Sequence, residues 1–149
     1  MNALHILPAA INDINQLLVF MEQFYAIDGY PFKIEQTRTA LNEFISQPDR
    51  GTIWIMKKGN VPVGYIILAT IYSFEFGGRN AFVDEFYLEK EYRGKGIGKN
   101  VMEYVVGEAT RMNIKALHLE VEHHNHSAIE LYRKFSFNDH HRMLMTRML

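Results

Sequence analysis

A glycine-rich loop constrains this chain more than any other stretch: Arg93-Gly94-Lys95-Gly96-Ile97-Gly98-Lys99 stands between an apolar, β-type segment and a helical one. Three glycines at alternate positions let the backbone turn tightly and bring its N–H groups close to a ligand. A helix beginning here adds unpaired donors and a partial positive charge, which suits a phosphate-bearing ligand. Arg93, Lys95 and Lys99 add full positive charges. Two familiar phosphate loops do not fit. The dinucleotide spacing G-x-G-x-x-G fails because Val101 stands where the third glycine would fall. The Walker spacing fails because Gly98-Lys99 is followed by Asn100 and position 93 is arginine. The bland alternative is a flexible turn that only caps a helix.

Around this loop the pattern is mixed α/β. Ile11, Ile14, Leu17, Leu18, Met21 and Tyr25 recur at three- and four-residue steps, which predicts a helix over 10–26, broken by Gly29-Tyr30-Pro31. A second helix is expected over 37–47. Short β-branched segments predict strands over 52–57, 61–74 and 81–88, joined by Lys58-Gly59-Asn60 and Gly77-Gly78-Arg79-Asn80 as an antiparallel meander. The glycine loop then opens a helix over 97–112. Residues 116–122 alternate cleanly and predict a half-buried strand. A short helix over 127–135 follows, with Ser127 and Glu130 as its capping box, and 137–149 reads as one or two closing strands.

A chain of 149 residues without a linker or repeat is expected to form one domain, 1–149. Its composition, 48% hydrophobic and 13% aromatic, suffices for a core and speaks against disorder. The net charge of −1 argues against nucleic-acid binding, which favours a basic excess. Without cysteine there is no disulfide, thiolate metal site or cysteine nucleophile. No signal peptide or spanning segment shows, so a cytoplasmic protein without membrane attachment is expected. His123-His124-Asn125-His126 invites a metal, but adjacent loop histidines cannot all face one ion, and none is expected.

The loop resembles the signature Arg/Gln-x-x-Gly-x-Gly/Ala of the GNAT family of N-acetyltransferases, which Arg93 to Gly98 satisfies. Asn125, Ala128, Leu131, Tyr132 and Phe137 look like that family's later Asn-x-x-Ala-x-x-Leu-Tyr-x-x-x-Gly-Phe segment, and the element order agrees over nearly the whole chain. One departure is Ser136, where the family usually has glycine.

The resemblance implies a central, mostly antiparallel sheet, splayed at its middle strands, with helices on both faces. It implies acetyl-CoA as co-substrate, without a metal, and transfer to an amine in a ternary complex. The pyrophosphate would rest on Gly94, Lys95, Gly96, Ile97, Gly98 and Lys99 beside Arg93, and the pantetheine arm would pair with the backbone of Phe86, Tyr87 and Leu88. The Phe86 N–H would polarise the thioester carbonyl, and Asn125 would hold the arm or order its loop. Tyr132 takes the family's general-acid position. For the base, Glu120 matches ribosomal-protein acetyltransferases, and Asp84 with Glu85 resembles the acidic pair of polyamine acetyltransferases. Asp84, Glu85, Glu120 and Glu122 together suit an amine-binding cleft. Tyr25 and Tyr30 lie where the family builds its acceptor pocket. The expected acceptor is a small primary amine: a polyamine, an aminoglycoside-like compound or an amino-acid derivative. A protein N-terminus or lysine is the second reading, and a non-catalytic acyl-CoA-binding module the third. A homodimer through Met143-Leu144-Met145 is a further expectation.

Overall fold

The computed structural model describes residues 3–149. Its strands form one sheet in chain order: β1 (Leu4–Pro8), β2 (Gly51–Lys58), β3 (Val61–Ser73), β4 (Gly78–Leu88) and β5 (Leu117–Leu119). The first four pair antiparallel, and β5 joins β4 in parallel. Helices α1 (Ile14–Ile27) and α2 (Ile34–Ile45) separate β1 from β2. Helix α3 (Ile97–Arg111) carries the chain from β4 to β5, and α4 (His126–Lys134) comes after β5.

The sheet is buried on both faces. Trp54, Met56, Ile66 and Leu68 pack against Val101, Met102 and Val105 of α3. On the other face Ile53, Ile55, Tyr65 and Ile67 pack against Leu17, Phe20 and Met21 of α1 and Leu41 of α2. Each such side chain contributes about 1.5–3 kcal/mol when fully buried, so these two layers hold the helices to the sheet. Among the described residues no helix is long and apolar enough to cross a membrane.

Strand β4 carries two irregularities, a bulge and a splay. Ile67 faces Glu85 while Leu68 faces Val83, so Asp84 is an extra, unpaired residue: a β-bulge. One extra residue reverses the side on which every later side chain lies. Ala81 and Val83 therefore share the α3 face with Phe86 and Leu88, whereas Glu85 and Tyr87 turn to α1. The splay lies on the opposite edge. β5 pairs with β4 only from Ala81–Leu117 to Val83–Leu119, which leaves the outer edge of β4 without a strand beside it from Asp84 onward.

The structure departs from the sequence expectations at several places. β1 has no counterpart among the expected strands. β5 has three residues where seven were expected, and α2 begins at Ile34, three residues early. The strands expected over 137–149 do not form; instead Arg142 donates to both carboxylate oxygens of Glu75 at 2.7 and 2.6 Å, fixing this segment to the β3–β4 turn. Met143, Leu144 and Met145 lie exposed there. The cap of α4 is Asn125, whose side chain accepts from the Ala128 N–H at 3.3 Å, rather than Ser127.

Ser136 takes the left-handed conformation, φ +64°, just after α4. A Cβ is disfavoured there by about 1–2 kcal/mol, while glycine is destabilised by its freer unfolded chain by about 0.4–1 kcal/mol. Ser136→Gly is expected to raise stability by about 0.5–1 kcal/mol, read as a melting temperature a few degrees higher.

Candidate active site

The splay between β4 and β5 is flanked on one side by the glycine loop and on the other by a recess between β4 and the first two helices. Asp84 and Glu120 are the first residues past the last strand pair, so one carboxylate stands on each bank where the strands part.

On the α3 side, Gly94 and Gly96 adopt φ +70° and +80°, and no heavy atom lies within 4 Å of where a Cβ would stand at either. Here the left-handed turn itself requires glycine. Gly96 is the N-cap of α3 and provides no side-chain cap, so the first amides of the helix keep their donors free. Gly98 has a packing reason instead: a Cβ would sit 3.2 Å from Leu131 of α4 and 3.9 Å from the Phe86 ring. Phe86, Ile97, Leu131 and Tyr132 all pack on the same core cluster, which brings loop, strand edge and α4 together. Lys95 and Lys99 are exposed. Arg93 turns back instead: its Nε donates to the Leu88 carbonyl at 2.7 Å and its guanidinium lies 5.4 Å from the Tyr87 ring centroid.

Which groups of β4 face the open edge is set by alternation. The Glu89 N–H donates to Val63 of β3 at 2.9 Å, so Tyr87, two residues earlier and opposite Tyr65, also directs its backbone to β3. Phe86 and Leu88 direct theirs outward. The Leu88 carbonyl is taken by Arg93, which leaves Phe86 to present both N–H and C=O at the edge. The Tyr87 side chain points to α1, where its hydroxyl donates to Gln23 at 2.6 Å. Burial raises that hydroxyl first, helped by Glu89.

On the α1 side lies a recess of about 430 Å³. Met21, Leu41 and Ile67 form its buried floor with Glu85, and Pro31, Lys33 and Gln36 its exposed rim. Glu85 accepts hydrogen bonds from Tyr25 at 2.6 Å and from Tyr65 at 2.7 Å. Burial pushes its carboxyl above the usual range, the two hydroxyls pull it back down, and Asp84 pushes it up again; the net direction is upward. Burial also raises both hydroxyls, with Glu85 adding to the effect. Asp84 keeps open surface, yet the protein around it removes enough water to raise its carboxyl too.

The four carboxylates expected to share one cleft divide into groups. Glu85 belongs to the recess. Glu122 accepts a hydrogen bond from Tyr30 across 92 positions of sequence, and Glu120, exposed nearby, joins Glu122 in raising the Tyr30 hydroxyl. His124 lies 3.0 Å from Asp28. These two contacts clip the loop after α1 onto the loop before α4. Among the described residues no three acidic or histidine side chains converge as a metal site would require. The Tyr132 hydroxyl makes no hydrogen bond among the described residues; burial pushes it up to about 12. Tyr65, Lys33 and the Tyr30–Glu122 clip are parts of this region that the sequence did not indicate, because each depends on register or loop crossing.

A splayed parallel pair, a left-handed glycine turn opening a helix and a carboxylate-lined recess thus meet along one strand, β4. Residues 17–137 match the family described as Acetyltransferase (GNAT) family. The chain belongs to that family. It is 33% identical over 82 residues to a thialysine N-epsilon-acetyltransferase of Sus scrofa, a match covering 55% of this chain and 48% of the relative, so the chain spans about half the length of that relative. It is 24% identical over 107 residues, 70% of each chain, to a probable spermine N(1)-acetyltransferase of Bacillus subtilis subsp. natto. A predicted acetyltransferase from Clostridium acetobutylicum, solved with acetyl-CoA, superposes with a TM-score of 0.83 at 20% identity, covering 97% of this chain and 96% of that one; this likeness concerns the fold.

Proposed function

We propose that this protein transfers an acetyl group from acetyl-CoA to the primary amine of a small molecule, by direct attack while both are bound. The observation that carries the reading is the open edge at Phe86, with a cradle of free amides on one side and a Glu85-floored recess on the other. The relatives that act on thialysine and spermine, both amines, support the same acceptor class.

The residues fit the donor. Gly94 to Lys99 offer unpaired amides without a Cβ in the way, as a pyrophosphate needs, and Lys95 and Lys99 add charge. When bound, acetyl-CoA supplies a thioester whose carbonyl carbon accepts the amine and whose sulfur leaves. The Phe86 N–H, free at the strand edge, is the donor for the carbonyl oxygen. Asn125 fixes the start of α4 and so the place of Tyr132. Tyr132, held protonated by burial, gives its proton to the leaving sulfur. Glu85 is the first choice for the base, since two tyrosine hydroxyls hold its carboxylate still. Asp84 and Glu120, at the parting of the strands, attract the cationic amine and can relay its proton through water. Tyr25 and Tyr30 line the approach. A pure binding module has no use for a buried, protonated tyrosine.

The test is thiol release from acetyl-CoA with a panel of primary amines, run beside calorimetric binding of acetyl-CoA. Turnover with one amine class supports the reading; binding without turnover by any amine supports the non-catalytic module. Glu85→Gln is expected to lower kcat/KM about tenfold, because Asp84, Glu120 and water replace the base only partly, and to flatten the acidic limb of the pH profile. The same variant tests linkage. A raised carboxyl favours the folded state when protonated, so its contribution is present below the ordinary carboxylate pKa and lost as pH rises through the raised value. Removing the charge should therefore reduce the fall in melting temperature between acidic and neutral pH.

A further inference from the structure

The recess that holds Glu85 is electrically lopsided. Its lining carries the half-buried Glu85 and the exposed Asp84, an apolar wall from the buried Met21, Leu41 and Ile67, and the exposed Lys33. Lys33 is the only basic side chain lining the recess, and it makes no ion pair or side-chain hydrogen bond among the described residues. Arg50, beyond the far end of α2, is already paired with Glu43.

An acceptor that puts its amine at Glu85 and lies along this lining has Lys33 as the one cation that its other end can meet. We propose that Lys33 selects the acceptor, and that the preferred substrate is an amine bearing a carboxylate at its far end, an ω-amino acid type, rather than a polyamine. The inference rests on the acetyl-transfer reading and specifies its acceptor. Both charges of such a molecule meet an opposite charge, while its methylene chain crosses the apolar wall. A diamine of the same length meets Glu85 equally well and then sets an ammonium against Lys33. Specificity of this kind comes as much from the repulsion of the wrong partner as from the attraction of the right one.

The experiment compares 6-aminohexanoate, 1,6-diaminohexane and hexylamine by thiol release, with wild type and with Lys33→Glu and Lys33→Gln. Lys33 is exposed and precedes the first turn of α2, where glutamate suits the helix end, so both variants should fold. Wild type is expected to favour 6-aminohexanoate over 1,6-diaminohexane by about tenfold in kcat/KM, since the exposed Lys33 attracts the carboxylate of the first and repels the second ammonium of the other. Lys33→Glu should reverse the order through KM, and Lys33→Gln should bring the two amines together. A wild type that uses the diamine equally well or better, or a Lys33→Glu ratio within twofold of wild type, overturns the selection by Lys33 and leaves amine acetylation standing. No thiol release with any of the three amines, while acetyl-CoA still binds, overturns the small-amine reading and this inference with it.

Discussion

Gly96→Glu is expected to weaken acetyl-CoA binding by about 100-fold or more while the protein stays folded. Two opposed terms set the folding cost. A side chain at φ +80° costs about 1–2 kcal/mol, but a carboxylate at the N-terminus of α3 recovers about 0.3–1 kcal/mol from the helix dipole. No heavy atom lies within 4 Å of the new Cβ, so nothing is overpacked. The binding cost has no such offset. The carboxylate would stand among the amides that the pyrophosphate needs, and loss of a single charge-assisted hydrogen bond is about 1.5–3 kcal/mol before repulsion is added. Gly96→Ala separates strain from charge and should keep the affinity within about tenfold of wild type. Calorimetry gives the affinities and circular dichroism the fold. Unweakened binding by folded Gly96→Glu would remove this loop from the donor site.

Tyr132→Phe should lower kcat by about 100-fold at an unchanged acetyl-CoA dissociation constant. Its hydroxyl has no protein hydrogen bond among the described residues, so deleting it strands no partner, and its ring keeps its place 5.9 Å from the Phe137 ring. Stability should therefore change little. With the pKa at about 12 the wild-type tyrosine remains protonated across the working range, so the loss should be uniform between about pH 6.5 and 9 rather than confined to one limb. A kcat within twofold of wild type would take the general-acid role away from this residue.

The parts of the molecule written in local sequence were legible. Glycines at 94, 96 and 98 signalled the turn because left-handed backbone and a close approach leave few other choices. The apolar steps along α1 and α3 did the same for helices. What failed was non-local. Leu4–Pro8 is an edge strand of five residues, too short for a pattern of its own, and it exists because β2 offers it a partner. Residues 116–122 alternate as a strand should, yet only Leu117–Leu119 find β4 beside them before the splay begins. Ser127 has the composition of a cap, but Asn125 reaches the Ala128 N–H first. At the site, Glu85 stands out in the sequence by its charge, whereas Tyr65 is hidden inside the apolar run of β3 until the register sets it against the same carboxylate.

The bulge at Asp84 works like a single-letter insertion in a message read two letters at a time. Upstream, the words spell a core for α3; downstream, the same strand is read in the other frame. That shift decides which of two adjacent residues meets which side, Phe86 the glycine loop and Glu85 the recess beside α1, without a second strand or an extra domain. If Asp84 were instead drawn into the ladder as an ordinary strand residue, the two assignments would exchange, turning the Glu85 carboxylate toward α3 and the Phe86 ring toward α1. The division of labour along β4 thus depends on the bulge, and not on the chemistry of the aspartate that forms it.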